Sequence, residues 1–197
     1  MNYYVFYDSN NNVTIYKAES EPTLNGLTLL AEYAEASAPQ NVLDAWQNAS
    51  WYTIQNNQLV QSPNYAALQI QQAQQQQITL LRQGYTQTIA SGFNVTIGTT
   101  QYTFGWSTDD KTNLLAVQEA ITDEDLTFPV QYGDIHGNPV SIPDQTTLSS
   151  IKSTASKFFN NQHQQILTLI GKVNTLVNTQ GTTVAQIQAV VWTPATY

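Results

Sequence analysis

The sequence predicts an α+β protein in four parts. These are a small N-terminal α+β module (1–61), a long connecting helix (62–91), a small β-hairpin/helix module (92–142) and a C-terminal helical region (143–197) with a coiled-coil-like seam. Three observations predict it. Short alternating runs such as Tyr3-Tyr4-Val5-Phe6-Tyr7 are followed by polar turns, the mark of hairpins. Ser62-Pro63 places an N-cap and a first-turn proline before a long Gln-rich stretch with helical spacing. Leu148, Ile151, Ala155, Phe158, Gln162, Ile166, Leu169, Val173 and Leu176 recur at three- and four-residue steps, close to four heptads.

The elements follow in order. Strands at 3–7 and 13–16 flank the turn Asp8-Ser9-Asn10-Asn11-Asn12, and residues 27–33 are a strand or a helix start. Pro39 opens a short helix over 39–48 that carries Val42, Leu43 and Trp46. Trp51 to Ile54 and Gln58 to Val60 form a second hairpin around Asn56-Asn57. The helix from Pro63 runs to about Ala90 and ends at Ser91-Gly92. Its apolar stripe (Ala66, Ile70, Ala73, Leu81, Tyr85, Ile89) is thin, which suits a solvated connector or a polar seam. A hairpin spans Phe93 to Trp106, and Ser107-Thr108-Asp109-Asp110 caps a helix bearing Leu114, Leu115, Val117 and Ile121. A strand at 126–132 then returns through the turn at Gly133 as Pro139 to Ile142. Asp144, Thr146 or Thr147 starts the last long helix, with Gln162 as its one polar layer. Gly181 breaks it, and a short helix with Val184, Ile187 and Val191 precedes a terminal coil.

Composition narrows the function. Among 197 residues, 24 Gln and 17 Asn outnumber the 6 basic and 14 acidic side chains together. Charged residues are 10%, against roughly 25% in an average globular chain. Uncharged amides suit surfaces later buried against copies or partners, where an unpaired charge is costly. The net charge of −8 and six scattered cations offer no basic stripe, so nucleic acid is not an expected partner. No apolar run reaches the ~20 residues of a membrane span, and Met1-Asn2-Tyr3-Tyr4 is not a signal-peptide start, so no membrane insertion is expected. The absence of cysteine excludes disulfides, thiolate metal sites and cysteine nucleophiles.

Catalytic chemistry finds no foothold in the pattern. His136 and His163 lack a second ligand at metal spacing. Asp109-Asp110 suits the positive end of a helix, and Asp123-Glu124-Asp125 a solvated loop. No phosphate loop, nucleophile elbow or metalloprotease motif appears. A non-enzymatic protein without cofactor or metal is therefore expected. Tyr3, Tyr7, Trp46 and Trp51 are the candidate docking residues, with glycan contact as the alternative use of their rings.

Residues 85–178 carry a familiar order of marks. Gly92-Phe93 follows a helix, Thr108-Asp109 opens another, and Tyr132-Gly133-Asp134 forms a turn. Pro139-Val140 begins a strand, and a long helix containing His163 completes the set. This resembles a domain of unknown function that recurs in small tail-fibre and tail-fibre-assembly proteins of tailed bacteriophages. The family's Phe-Gln-x-Asp stretch is altered here to Phe104-Gly105-Trp106-Ser107-Thr108-Asp109. The N-terminal module, with Tyr52, Gln58-Leu59-Val60 and Pro63, is similar to the head modules of such proteins. The resemblance implies a structural tail protein of the virion: a tail-fibre, baseplate or adaptor subunit. It would be a homo-oligomer, trimer or dimer, bound to other phage tail proteins and assembled in the bacterial cytoplasm. Two alternatives accompany it: an assembly chaperone that leaves the virion, and a carbohydrate-binding host-recognition module. Leu148, Ile151, Phe158, Ile166, Leu169, Val173 and Leu176 are the expected helical interface between chains. Whether the two long helices pair between chains or within one, as an antiparallel hairpin around 93–142, stays open.

Overall fold

A computed structural model describes all residues, 1–197. The architecture is mixed α and β with small antiparallel sheets and a long C-terminal helix. The chain divides into two compact units, Met1–Gln72 and Ala73–Tyr197.

In the first unit, β1 (Asn2–Tyr7) is the centre of a three-stranded antiparallel sheet, between β2 (Val13–Ala18) and β3 (Thr28–Ala34). Residues 27–33 thus resolve as strand: pairing with β1 settles what a short apolar run leaves ambiguous. Strand alternation sends Tyr3 and Val5 to a core shared with Val13, Val42, Ala45, Tyr52 and Ile54. Val42 and Ala45 come from α1 (Gln40–Gln47), and Tyr52 and Ile54 from β4 (Tyr52–Gln55). β4 pairs with β5 (Gln58–Gln61) through Asn56 and Asn57, both at positive φ, which gives the strand-matched twist of a tight hairpin. Tyr4 and Phe6 point to the opposite face and are also buried. β2 and β3 run parallel to each other on either side of β1, so their connection has to cross a face of the sheet.

The second unit is an antiparallel helical hairpin around an insert. α2 (Tyr65–Ala90) enters it at Ala73, and α4 (Gln145–Val177) returns beside it, with Gln74 Nε2 donating to Asn174 Oδ1 at 2.9 Å. Within this chain the two helices thus run antiparallel, and the C-terminal segment bridges them. Gly92 ends α2 at φ +74°, and a β-carbon there would lie 2.2 Å from the Phe104 carbonyl oxygen, so only glycine fits this close turn. The insert holds the hairpin β6 (Phe93–Ile97) and β7 (Thr100–Phe104), then α3 (Thr108–Thr122), then the hairpin β8 (Val130–Gly133) and β9 (Pro139–Ile142). Residues 126–129, expected within a strand, lie outside β8, whose pairing with β9 begins at Val130. Phe93, Val95, Phe104, Leu114, Val130, Val140 and Ile142 close over Leu148, Ile151, Ala155 and Phe158 of α4 in one core. The Ile135 N–H donates to the Thr103 carbonyl, and the Tyr132 hydroxyl to the Asp110 carbonyl, which ties the two hairpins and α3 together. Burial raises the Tyr132 phenol to about 12.

Local signals set the ends of these elements. Ser107 caps α3 with Asp110 as its reciprocal partner, and Asp144 caps α4 by accepting from the Thr147 N–H at 2.7 Å. Asp8 and Asp134 build the same turn twice. Each carboxylate accepts from the backbone N–H groups two and four residues on and from the side chain of the latter, Asn12 or Asn138. Asp8 and Asp134 are held below the usual carboxylate range by Asn12 and Asn138 foremost, and Asp144 by the Thr147 N–H foremost. A carboxylate depressed by folding stabilises fully above its unfolded value, roughly 3.9, and that contribution is lost as pH falls through the depressed value. Urea titrations from pH 7 down to pH 2 are therefore expected to show stability falling below about pH 4. Replacing all three aspartates with asparagine should flatten that fall.

Candidate functional site

The seam of α4 is a real stripe, but its partners are in the same chain. Leu148, Ile151 and Phe158 are buried by the two hairpins and α3, and Ile166 and Val173 are buried as well. Leu169 and Leu176 are half-buried. This corrects the expectation of an interface between chains at Leu148, Ile151, Phe158, Ile166 and Val173. Their apolar surface is already removed from water inside the chain, and each fully buried side chain of this kind is worth about 1.5–3 kcal/mol to the fold.

The half of α4 beyond Phe158 lies along a groove shared with α2, and the C-terminal segment fills it. α5 (Val184–Gln188) packs back on α4 with Ile187 fully buried. Residues 189–197 then run along α2 in its own direction and opposite to α4. Gln77 Nε2 donates to the Val190 carbonyl at 2.7 Å, and Gln165 Nε2 to the Thr193 carbonyl at 3.2 Å. Gln162 makes a two-point pair with Ala195, donating to its carbonyl at 2.6 Å and accepting from its N–H at 2.9 Å. Asn161 Nδ2 donates to the Thr196 carbonyl at 2.8 Å. These amides do for the segment what a neighbouring β-strand does elsewhere: they satisfy backbone groups that would otherwise lose water without replacement.

Two aromatic anchors set the register of the segment. Trp192 lies directly over Gly84, where a β-carbon would come within 2.6 Å of its ring, and its Nε1 donates to Thr88 Oγ1 at 2.9 Å. Tyr85 meets the same indole edge-on. Tyr197 packs edge-on against Phe158, with ring centroids 4.9 Å apart, and its hydroxyl accepts from the Asn94 N–H. The only buried polar side chains of the protein are Gln77 and Gln162, and both hold this segment. The expected single polar layer at Gln162 is therefore a backbone clamp. The thin stripe of α2 is completed by Gln77, Gly84 and Thr88, which apolar spacing alone does not pick out.

On the first unit, the four candidate docking residues separate. Tyr3 is buried in the core and Tyr7 and Trp51 are half-buried, whereas Trp46 is 45% exposed. Tyr3 is thereby corrected from a contact residue to a core residue, because β1 is the central strand and turns this side toward α1. Its ring meets Trp46 edge-on at 5.5 Å. The Lys17 ammonium lies over both rings and is paired with Glu35, which keeps the cation against the indole. Trp51 belongs to a different cluster, edge-on to Tyr65, which also meets Tyr52. Burial, with Asp44 as the next contributor, raises the Tyr52 phenol to about 12.

His163 stacks on Phe159, and His136 sits in the β8–β9 turn. No three His, Cys, Asp or Glu side chains gather as metal ligands would, and no helix is long and apolar enough to cross a membrane. The Trp106 indole N–H is buried without a partner, beneath the Lys111 ammonium. Comparison of the chain with protein-family profiles, with curated proteins and with solved structures yields no match.

Proposed function

We propose that the chain is a non-catalytic structural component of a bacteriophage tail, a tail-fibre, baseplate or adaptor subunit that works by docking and self-association. The observation that carries this reading is the order of elements in the second unit. A helix ends at Gly92-Phe93, a hairpin follows, a capped helix starts at Thr108, and a turn at Asp134 and a strand at Pro139 precede the long helix with His163. That order is the one on which the resemblance to phage tail proteins rests. A surface rich in Gln, Asn and Thr and poor in charge suits burial against neighbours. Self-association in this reading does not pack one bare α4 seam against another, since the seam is covered within the chain.

Quantitative mass spectrometry of purified virions, from the phage whose genome carries the coding sequence, tests the reading. The expected result is the protein at a fixed stoichiometry to the tail proteins. Its absence from virions overturns the structural role. If it instead co-purifies with fibre proteins during infection only, it is an assembly chaperone.

A second reading is favoured by one observation, the exposed Trp46 indole backed by Lys17. A flat, exposed ring beside a cation and a carboxylate suits stacking against a sugar of a host surface. In this reading, Trp46→Ala should abolish binding on a glycan array while the protein stays folded, with a lowered thermal midpoint because the indole also packs on Tyr3 and Lys17. Binding that survives the substitution removes Trp46 from any such site.

A further inference from the structure

The groove between α2 and α4 is built to grip an extended peptide, and we propose that in the self-associated protein it holds the C-terminal segment of a second copy of this chain. Residues 184–197 of each copy would then lie in the groove of the other. This deepens the self-association part of the proposed function, and it is tested on purified protein, so its failure and the failure of the virion reading are separate results.

Four features carry it. First, the grip is made by side chains on backbone: Gln77, Asn161, Gln162 and Gln165 take the carbonyls of Val190, Thr196, Ala195 and Thr193, and the Ala195 N–H. Such contacts recognise a strand-like segment whichever chain supplies it. Second, specificity comes from anchors in the segment itself, Trp192 over Gly84 and Tyr197 on Phe158, so the best ligand for this groove is this chain's own terminus. Third, the vacated groove carries polar groups among its apolar ones. Water can hydrogen-bond the freed amides of Gln77 and Gln162, so release costs less than emptying an apolar core of equal size. Fourth, the hinge is local. Residues 178–183 join α4 to α5 as a short polar turn with Gly181 at φ +81°, and opening it frees 184–197 with the loss of the Tyr197 contact to Asn94 of the first hairpin. A short hinge before a terminal element is the arrangement in which exchange between copies is inexpensive. Reciprocal exchange closes as a two-fold dimer, because each copy donates one segment and accepts one.

The chain has no cysteine, so introduced thiols report without background. Gln165 and Thr193 meet across the groove, and neither is buried. Full-length Gln165→Cys and Thr193→Cys proteins are mixed at high concentration, passed briefly through mild urea to permit exchange, returned to buffer and joined with a short bismaleimide, which spans the Gln165 reach that a disulfide does not. The double variant Q165C/T193C is treated alongside. The expected result is a covalent dimer with one copy of each variant, joined between position 165 of one chain and position 193 of the other by peptide mapping. Light scattering of unmodified protein in the same regime should show a doubled mass. If the double variant closes only within single chains and the mixture yields no 165–193 link, the segment stays at home and the proposal is overturned. It is equally overturned if the double variant forms no 165–193 link, because the segment then does not occupy the groove.

Discussion

Replacing Gln162 with leucine is expected to destabilise residues 73–197 by about 2–4 kcal/mol, although leucine is a close match in volume and the position lies on an apolar seam. Removing the amide leaves the part-buried Ala195 N–H and carbonyl without their side-chain partner, at up to about 1–3 kcal/mol for each group that water does not reach. Lifting the segment into water caps the loss. Urea unfolding measures the total, and hydrogen exchange locates it: the Ala195 amide should lose protection before the core strands do. Gln162→Glu separates the hydrogen bonds from the bulk. A protonated carboxyl both donates and accepts, so it reproduces the clamp, whereas a carboxylate cannot donate to the carbonyl. The folded pKa of the introduced group is therefore raised. Its stabilisation is fully present below the unfolded value of roughly 4.3 and is lost as pH rises through the folded value. Wild-type stability at Gln162→Leu, with an unprotected Ala195 amide in both proteins, would show that residues 189–197 are not held as described.

Gly84→Ala is the second large effect, and its sign is the informative part. Inside an exposed helix, replacing glycine with alanine stabilises by about 0.5–1 kcal/mol. Here the added methyl would stand 2.6 Å from the Trp192 ring and 2.8 Å from its β-carbon, so the backbone of the segment has to move, not only a flexible tip. Overpacking of this kind costs about 1–3 kcal/mol, which outweighs the helical gain. A destabilisation of about 1–2 kcal/mol is expected. The cycle with Trp192→Ala tests the cause: once the indole is gone, the same Gly84→Ala change should turn stabilising, by about 0.5–1 kcal/mol. A stabilising Gly84→Ala in the wild-type background would mean that Trp192 does not sit on α2.

The α4 seam and the Gln-rich α2 show where sequence reading succeeds and where it stops. Helical period alone marks every position from Leu148 to Leu176 that the structure buries or half-buries on that face. Period is local, since a side chain three or four residues on shares a face whatever lies opposite. It says nothing about what lies opposite, and that is why a stripe covered by hairpins of its own chain reads as a seam between chains. Tyr3 fails for a related reason. Alternation puts Tyr3 and Val5 on one face, but only strand order makes that face internal. One signal for the groove was legible: Gly84 stands inside a long helical run, where glycine costs about 1 kcal/mol against alanine and therefore marks a close approach.

By itself the sequence determined the α+β class, the capped start at Ser107, the start of α4 to within Asp144, Thr146 or Thr147, the hairpin turns at Asp8, Asn56 and Asp134, and the apolar stripe of α4. All of these are set by interactions among residues close along the chain. Only the tertiary structure decided that α2 and α4 lie antiparallel with the C-terminal segment between them, that Gln77 and Gln162 are backbone clamps, and that the terminal coil is held by them. Those outcomes depend on partners about 30 to 110 residues away, such as Gln162 with Ala195 and Gln77 with Val190. A buried amide is stabilising or costly according to whether a partner reaches it, and which partner does is a property of the fold.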